Sequence, residues 1–379
     1  MSKYWNNLNI LRKHRKDSKG LFISTDRPSV IEQQDVEVYE IKDGDDERLL
    51  QEISDFYCKS YRVGKNNNTN QVSMEDLRRF LHLDCEFLIM HLEEKGKVVG
   101  SIISIYVPVC VSEYESGNEE YEIKLSENFE NMKTENAIMC ACASFLILQE
   151  SFRGKGYGMR LIQESLQKFY DNGGLMAFFI NTISRCDNSI GFNTWYFPLN
   201  FEKLDISKYP YPKDYKKYFV EKLENFKNRE ENVVKVDENN SELAYNFYFL
   251  HVGKSKFYFS PSYEYWQKWI KSFPTFLCYR EKSISGIFSF NPRNIKCSFS
   301  NKELLVGMTL FSIGKQPETL MSTITKAQEM FDIVNFYELG QLNKKLFVSI
   351  LAQRAQKRYI NFYNTTLKLK AEDFYCPIF

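Results

Sequence analysis

The chain has 379 residues, a length that suits about two domains. Hydrophobic residues make up 43% of it, with 31 Phe and 24 Tyr, so it can bury a large core. A formal net charge of +1 sets no global demand for nucleic acid or an anionic membrane, and no apolar run has bilayer-spanning length or the pattern of a signal peptide.

In chain order, the first segment is polar and basic, with Arg12, Lys13, His14, Arg15 and Lys16 in a row. Such a run is either a solvated arm or a contact for RNA or phosphate. Glu37 to Ile41 reads as a strand. Glu47 to Tyr61 reads as a helix, with Leu49, Leu50, Ile53, Phe56 and Tyr57 at helical spacing. Gly64 to Asn70 reads as a loop, and Met74 to Leu83 as a second helix capped by Ser73 with Asp76 three residues on. Phe87 to His91 and Val98 to Val107 read as paired strands around a turn at Glu94–Lys97.

Ala137 to Leu148 is a central strand. It leads into the basic, glycine-rich loop Arg153-Gly154-Lys155-Gly156-Tyr157-Gly158 and a helical pattern at Leu161, Ile162, Leu166 and Phe169. A loop of this kind at a helix N-terminus offers backbone N–H groups to a pyrophosphate, and the helix dipole favours the anion. Three glycines allow close approach to the phosphates. A tight strand-to-helix turn with no ligand is the other reading of the same residues. Met176 to Thr182 is the next strand.

The second half repeats this order. Ser262 to Ser272 is a helix. Phe276 to Tyr279 and Gly286 to Asn291 are strands around a turn at Glu281–Ser285. Gly307 to Ile313 is a strand, Glu318 to Met330 a helix and Ile333 to Glu338 a strand. The echo lacks the glycine-rich loop. Leu223 to Glu242, rich in Asn, Glu and Lys, reads as a connecting segment. Nine scattered cysteines form no C-x-x-C pair and are joined by only four His, so a zinc site is not expected. Their odd number points to a reducing, cytoplasmic setting. Cys142 and Cys186 are conceivable nucleophiles, but no His stands in a recognisable partner motif.

The pattern R-x-x-G-x-G after a strand resembles the coenzyme A signature of GCN5-related acetyltransferases. Beyond it, the chain resembles the N-myristoyltransferase family along nearly its full length. Ser2-Lys3-Tyr4-Trp5 looks like the family's Y-K-F-W. Phe145-Leu146 followed by Phe152-Arg153-Gly154-Lys155 is similar to N-F-L-C-V-H-K-x-L-R-S-K, and Pro198 to Leu204 (P-L-N-F-E-K-L) to P-L-N-x-K-K-L. Ser285 to Phe290 is similar to x-D-F-F-S-F, Phe331 to Asn335 to F-D-V-F-N, and Ile360 to Tyr363 to the final strand.

The resemblance implies an α+β fold: two tandem GCN5-related acetyltransferase-like units around a mixed, largely antiparallel sheet with flanking helices. Residues 1–205 would bind acyl-CoA, and residues 206–379 would supply the peptide site and the catalytic C-terminus. It implies transfer of myristate from myristoyl-CoA to an N-terminal glycine amine, with myristoyl-CoA as co-substrate, glycine-initiated peptides as partners, no metal or other cofactor, and a monomer. The coenzyme would contact Lys3, Tyr4, Trp5, Tyr61, Ile147, Leu148, Arg153, Gly154, Lys155, Gly156, Tyr157 and Gly158. The backbone amides of Phe145 and Leu146 would hold the thioester oxyanion, if they are not plain core residues. The carboxylate of Phe379 would be the base, unless Cys376 to Phe379 is a hydrophobic plug with a solvated end. Thr182, or Ile180 in an ungapped alignment, would help to hold the amine.

Several positions depart from the family. Ser144 stands for an Asn, Tyr196 for a His and Gln356 for an acid, and Arg62-Val63-Gly64-Lys65-Asn66 replaces an acidic run. The long basic leader of many members is missing. Loss of those carboxylates implies that basic peptides are not favoured, and that Arg62 and Lys65 select acidic ones. Transfer of another acyl chain, or acyl-CoA binding without catalysis, are the rival readings.

Overall fold

The computed structural model describes residues 14–16, 22–24, 36–42, 47–63, 68–83, 85–92, 96–111, 137–172, 176–182, 184, 188–204, 214–227, 231–253, 255–297, 301–314, 316–340, 342, 345, 347, 353–363 and 369–379. A small hairpin, β1 (His14–Lys16) with β2 (Phe22–Ser24), carries part of the basic run and stands apart from one large mixed sheet.

In the first half, β3 (Val36–Ile41), β6 (Cys85–Leu92), β7 (Val98–Val111) and β8 (Ala137–Leu148) pair antiparallel in that order. Helix α3 (Tyr157–Asp171) then crosses over to β9 (Met176–Asn181), which lies parallel to β8. Helices α1 (Glu47–Ser60) and α2 (Met74–Leu81) come between β3 and β6, with the short pair β4 (Arg62–Val63) and β5 (Asn68–Gln71) between them. The α2 cap is as the sequence implies: Ser73 accepts from the Asp76 N–H at 3.1 Å, and Asp76 accepts from the Ser73 N–H at 2.9 Å. Residues 68–70, expected as loop, are strand instead, because β5 finds a partner far along the chain.

The second half has the same connectivity. Strands β13 (Thr275–Arg280), β14 (Ser283–Lys296) and β15 (Glu303–Ile313) pair antiparallel, and α7 (Pro317–Ala327) crosses to β16 (Ile333–Tyr337), parallel to β15. The segment 223–242, expected to be a connector, is built: it holds the end of α4 (Tyr215–Lys227), strand β11 (Glu231–Lys235) on the β13 edge, and the start of α5 (Ser241–Val252). Its polar residues mislead because they sit on exposed faces, while Tyr215, Phe219 and Leu223 bury one helical stripe.

The halves are joined by exchanged strands. β10 (Ile190–Pro198), which follows the first half in sequence, pairs with β16 of the second. β17 (Gln353–Tyr363), at the far end of the chain, pairs with β9 of the first. β10 and β17 pair with each other, closing a continuous ladder between the two units. The β12 (Phe257–Phe259) and β18 (Phe374–Tyr375) pair extends the β7 edge, and β5 docks on the far end of β14.

Three apolar clusters fill the layers. One packs α3 (Leu161, Ile162, Leu166, Phe169) on Leu88, Met90, Val99 and Ala141. A second packs α7 (Leu320, Met321, Ile324) on Phe276, Phe288, Phe290 and Phe336. The largest lies on the opposite face of the sheet, under α1, α2, α5 and α6 (Tyr263–Ser272), and holds Tyr57, Phe80, Phe145, Trp266, Trp269 and Phe379. Strands β6 to β8 are therefore covered on both faces, which is why they read as near-continuous apolar runs.

An ionisable group of β6 is buried inside this frame. Glu86 on β6 is 3% exposed and accepts from the Tyr106 hydroxyl at 2.6 Å. Burial pushes its carboxyl up to about 7, with hydrogen bonding to Tyr106 and the charge of Lys168 opposing the rise. The folded chain therefore keeps a proton on Glu86 where the unfolded chain has lost it. Stability from this site is fully present below the unfolded value and falls as pH rises toward 7. Glu86→Gln removes the ionisation, so urea unfolding should show the variant gaining on the native chain by on the order of 1–3 kcal/mol between pH 5 and pH 8.

Candidate functional site: a bulged strand beside the chain end

The site is built on β8. Its register with β7 runs Ile103↔Ser144, then Ser101↔Ile147, so Phe145 and Leu146 together oppose the single residue Ile102. This is a β-bulge. Phe145 has φ 53°, a left-handed conformation that a bulky residue adopts at a cost of about 1–2 kcal/mol. Packing holds it there. The ring lies among Tyr57 (6.1 Å), Tyr61 (5.8 Å) and Phe80 (5.0 Å), with the Arg293 guanidinium 4.6 Å above its centroid. Its carbonyl accepts a long bond from the Tyr57 hydroxyl at 3.4 Å, and Tyr57 is itself fixed by Ser101 at 2.7 Å.

On the other side of β8, pairing with β9 ends at Ala143↔Phe179, although β8 runs on to Leu148. Beyond that point β9 pairs only with β17. Phe145 and Leu146 therefore have no register partner on either flank. The Leu146 side chain is 39% exposed at its edge.

The end of the chain enters this place. After a turn at Ala371–Asp373 and β18, Cys376, Ile378 and Phe379 are all buried. The Phe379 ring packs on Trp269 (5.6 Å), Phe273 (5.7 Å) and Phe80 (6.4 Å). The Ser144 hydroxyl donates to the main-chain oxygen of Phe379 at 2.9 Å, one residue before the bulge. Ser144, where the family pattern has Asn, thus supplies a donor. Cys142, next on that face, is 1% exposed, and burial pushes its thiol up to about 12. A thiolate is not available there at neutral pH, which removes Cys142 as a nucleophile. Cys186 lies outside the described residues.

Beyond Leu148 a one-turn 3₁₀ segment, Glu150–Phe152, leads to the glycine loop, and α3 begins at Tyr157. Gly154 (φ 76°) and Gly156 (φ 94°) have positive φ, which only glycine adopts without strain. A Cβ on Gly158 would stand 3.1 Å from Leu148 Cδ1. Not every group is directed outward. The Arg153 N–H donates to the Glu150 carbonyl at 3.1 Å, and its guanidinium donates to the carbonyls of Leu148 (3.1 Å) and Ser60 (3.2 Å). Arg153 fastens the loop to α1. The Tyr157 side chain is buried against Phe152 (5.1 Å), whereas Lys155 is exposed. A cleft of about 670 Å³, lined in part by Lys59, Lys97, Gln149 and Arg153, adjoins the loop.

Of the remaining expected residues, Tyr61 is partly buried at the bulge, Ile147 is buried and Leu148 is partly buried. Thr182 is exposed just past β9, bonded to Asn181 Oδ1 through its N–H (2.7 Å). Ile180 lies within β9, opposite Ile360. Lys3, Tyr4 and Trp5 lie outside the described residues, as do residues 64–66. A residue that sequence reasoning missed, Arg293 on β14, lies over the Phe145 ring, and its charge also reaches Tyr337 on β16. The β5–β14 pairing, which ends one residue beyond it, helps to bring Arg293 here. Among the described residues no cluster of His, Cys, Asp or Glu could hold a metal ion, and no helix is long and apolar enough to cross a membrane.

No family model matches the sequence. No curated protein sequence matches it either. Solved structures do. A Saccharomyces cerevisiae N-myristoyltransferase with bound myristoyl-CoA superposes with a TM-score of 0.71 at 13% identity, over 92% of this chain and 87% of that one. The chain has the N-myristoyltransferase fold. Two further structures of the yeast N-myristoyltransferase, one with bound myristoyl-CoA and one with myristoyl-CoA and inhibitors, give TM-scores of 0.70 and 0.69 at 12% identity. Each match covers 97% of this chain and 94% of the other. The fold expected from the scattered N-myristoyltransferase motifs is the fold found.

The left-handed strain at Phe145 has a measurable signature. Alanine and glycine at this position both lose the ring, but only alanine keeps the unfavourable φ. In an ordinary strand glycine is the worse residue by about 0.5–1 kcal/mol. Here Phe145→Gly should be more stable than Phe145→Ala by about 1 kcal/mol in urea unfolding.

Proposed function

We propose that this protein transfers myristate from myristoyl-CoA to the N-terminal glycine amine of peptides or nascent proteins. The observation that carries the reading is the bulge at Phe145-Leu146, just past the end of the β8–β9 ladder and beside the buried Phe379. In this reading residues 1–205 hold the acyl-CoA. Its pyrophosphate rests on the amides at the start of α3, with Gly154, Gly156 and Gly158 allowing the approach. The pantetheine enters between β8 and β9 along Leu146, Ile147 and Leu148, which puts the thioester carbonyl at the bulge. Residues 206–379 supply the peptide side of the cleft.

The chemistry follows from the groups present. The glycine amine, with a pKa of about 7.7–8.0, needs a modest push to become nucleophilic. The carboxylate of Phe379, in a half-dry site beside Ser144, takes its proton. The amine lone pair attacks the thioester carbon, and the Phe145 and Leu146 amides stabilise the oxyanion. Collapse breaks the C–S bond, and the proton that the attacking nitrogen loses on becoming an amide passes to the departing thiolate, giving CoA as its thiol. A side chain on the first residue would crowd the amine, so glycine is selected. The free thiols of the described residues suit a cytoplasmic setting.

Transfer of labelled myristate from its CoA thioester to glycine-initiated peptides tests the reading directly. Adding one residue after Phe379 should lower turnover by about 10²–10⁴ while leaving acyl-CoA affinity within about threefold. Coenzyme binding without transfer by the native chain would identify a non-catalytic acyl-CoA-binding protein, and competition by acetyl-CoA at equal strength would change the acyl donor.

A further inference from the structure

β14 and β10 carry buried polar groups that the fold leaves without partners. β5 pairs with the end of β14 (Gln71↔Asn294, Asn70↔Ile295), and this carries Arg293 across to the first half. There its guanidinium stacks on Phe145, and one terminal nitrogen donates to the Tyr61 hydroxyl at 3.4 Å, a long bond. Its Nε has no partner. Among the described residues no carboxylate pairs with it. Two residues back on the same face of β14, Asn291 is 1% exposed, and neither its Oδ1 nor its Nδ2 is hydrogen-bonded. Thr194 on β10, opposite Tyr337, is 2% exposed, and its Oγ1 is also unpartnered. The Arg293 charge reaches Tyr337 and Cys142, in each case pulling against the burial that raises the group's pKa.

Buried polar atoms are nearly always paired in folded proteins. A cation and an amide two residues apart on one face of β14, both incompletely paired, point to a ligand that completes them. We propose that Arg293 reads a carboxylate side chain in the first few residues of the peptide substrate, with Asn291 Nδ2 as a second donor. This rests on the peptide-transfer reading above and supplies its specificity. A planar carboxylate matches the guanidinium fork, and the half-buried setting strengthens the pair relative to water. A lysine at the same peptide position would place two cations together. The Ser144 hydroxyl, not Arg293, donates to the Phe379 main-chain oxygen, and a substrate carboxylate would supply the anion that Arg293 lacks.

The test is fluorescence anisotropy with C-terminally labelled, glycine-initiated peptides, on the full chain saturated with a non-hydrolysable thioether analogue of myristoyl-CoA. Asp, Asn and Lys are placed in turn at positions two to five. At one position Asp should bind about tenfold tighter than Asn, and Lys weaker than both. Arg293→Gln should bring Asp and Asn within twofold, Arg293→Lys should keep part of the difference, and Arg293→Glu should invert it toward Lys. Arg293→Gln and Arg293→Lys suffice if the charge reversal fails to fold. An Asp-to-Asn ratio unchanged in Arg293→Gln, or a native chain indifferent at every position while neutral glycine peptides still bind, overturns the inference and leaves the transfer reading standing. Failure of every glycine peptide to bind the loaded protein overturns that reading, and the Arg293 assignment falls with it.

Discussion

The site depends on one strained residue. A phenylalanine in the left-handed region in the middle of a buried strand is unfavourable by itself, and it persists because its surroundings fix both ring and carbonyl. The ring is held by Tyr57, Tyr61 and Phe80, which come from α1, from just beyond it and from α2. The ladder to β9 also stops just before the bulge, so Phe145 and Leu146 stand outside the register of both neighbouring strands. Fold stability and site geometry are linked through Phe145.

The same packing explains how the two halves meet at one point. Phe80 touches both Phe145 and Phe379, and Arg293, carried on a strand of the second unit, lies over the Phe145 ring. An aromatic cluster here does more than fill volume. It sets the distance between the bulge, the last residue and the wall of β14.

How much of this was legible in the sequence varies with the range of the interaction. Ala137–Leu148 has the bounds the sequence implies, since both faces are buried and the apolar run stops where burial stops. The α2 cap and the α3 stripe are likewise local, and local patterns are readable. β10 was not read: I-G-F-N-T-W-Y-F-P has apolar residues on both faces, and its partners lie in the distant β16 and β17. Helix α5 was missed for a different reason. Ala244, Tyr245, Phe247, Tyr248 and Phe249 are all buried, so it lacks the one-sided pattern of a surface helix. At the site, Phe145, Leu146, Tyr61 and Phe379 come from family motifs, while Asn291 and Arg293 carry no motif. Their relevance arises only when β5 docks on β14.

The crossed loan of strands between the units also shapes how the molecule can be made. During synthesis β9 emerges with one flank bare, and β10 has neither of its neighbours until the far end of the polypeptide follows. Such long-range closure is slow, and bare strand edges attract other chains. The first unit expressed alone would carry two sticky ribbons and tend to aggregate, so dissecting this enzyme-like body into separate modules is closed off by its own topology. Two halves that share a common plan have become one indivisible object.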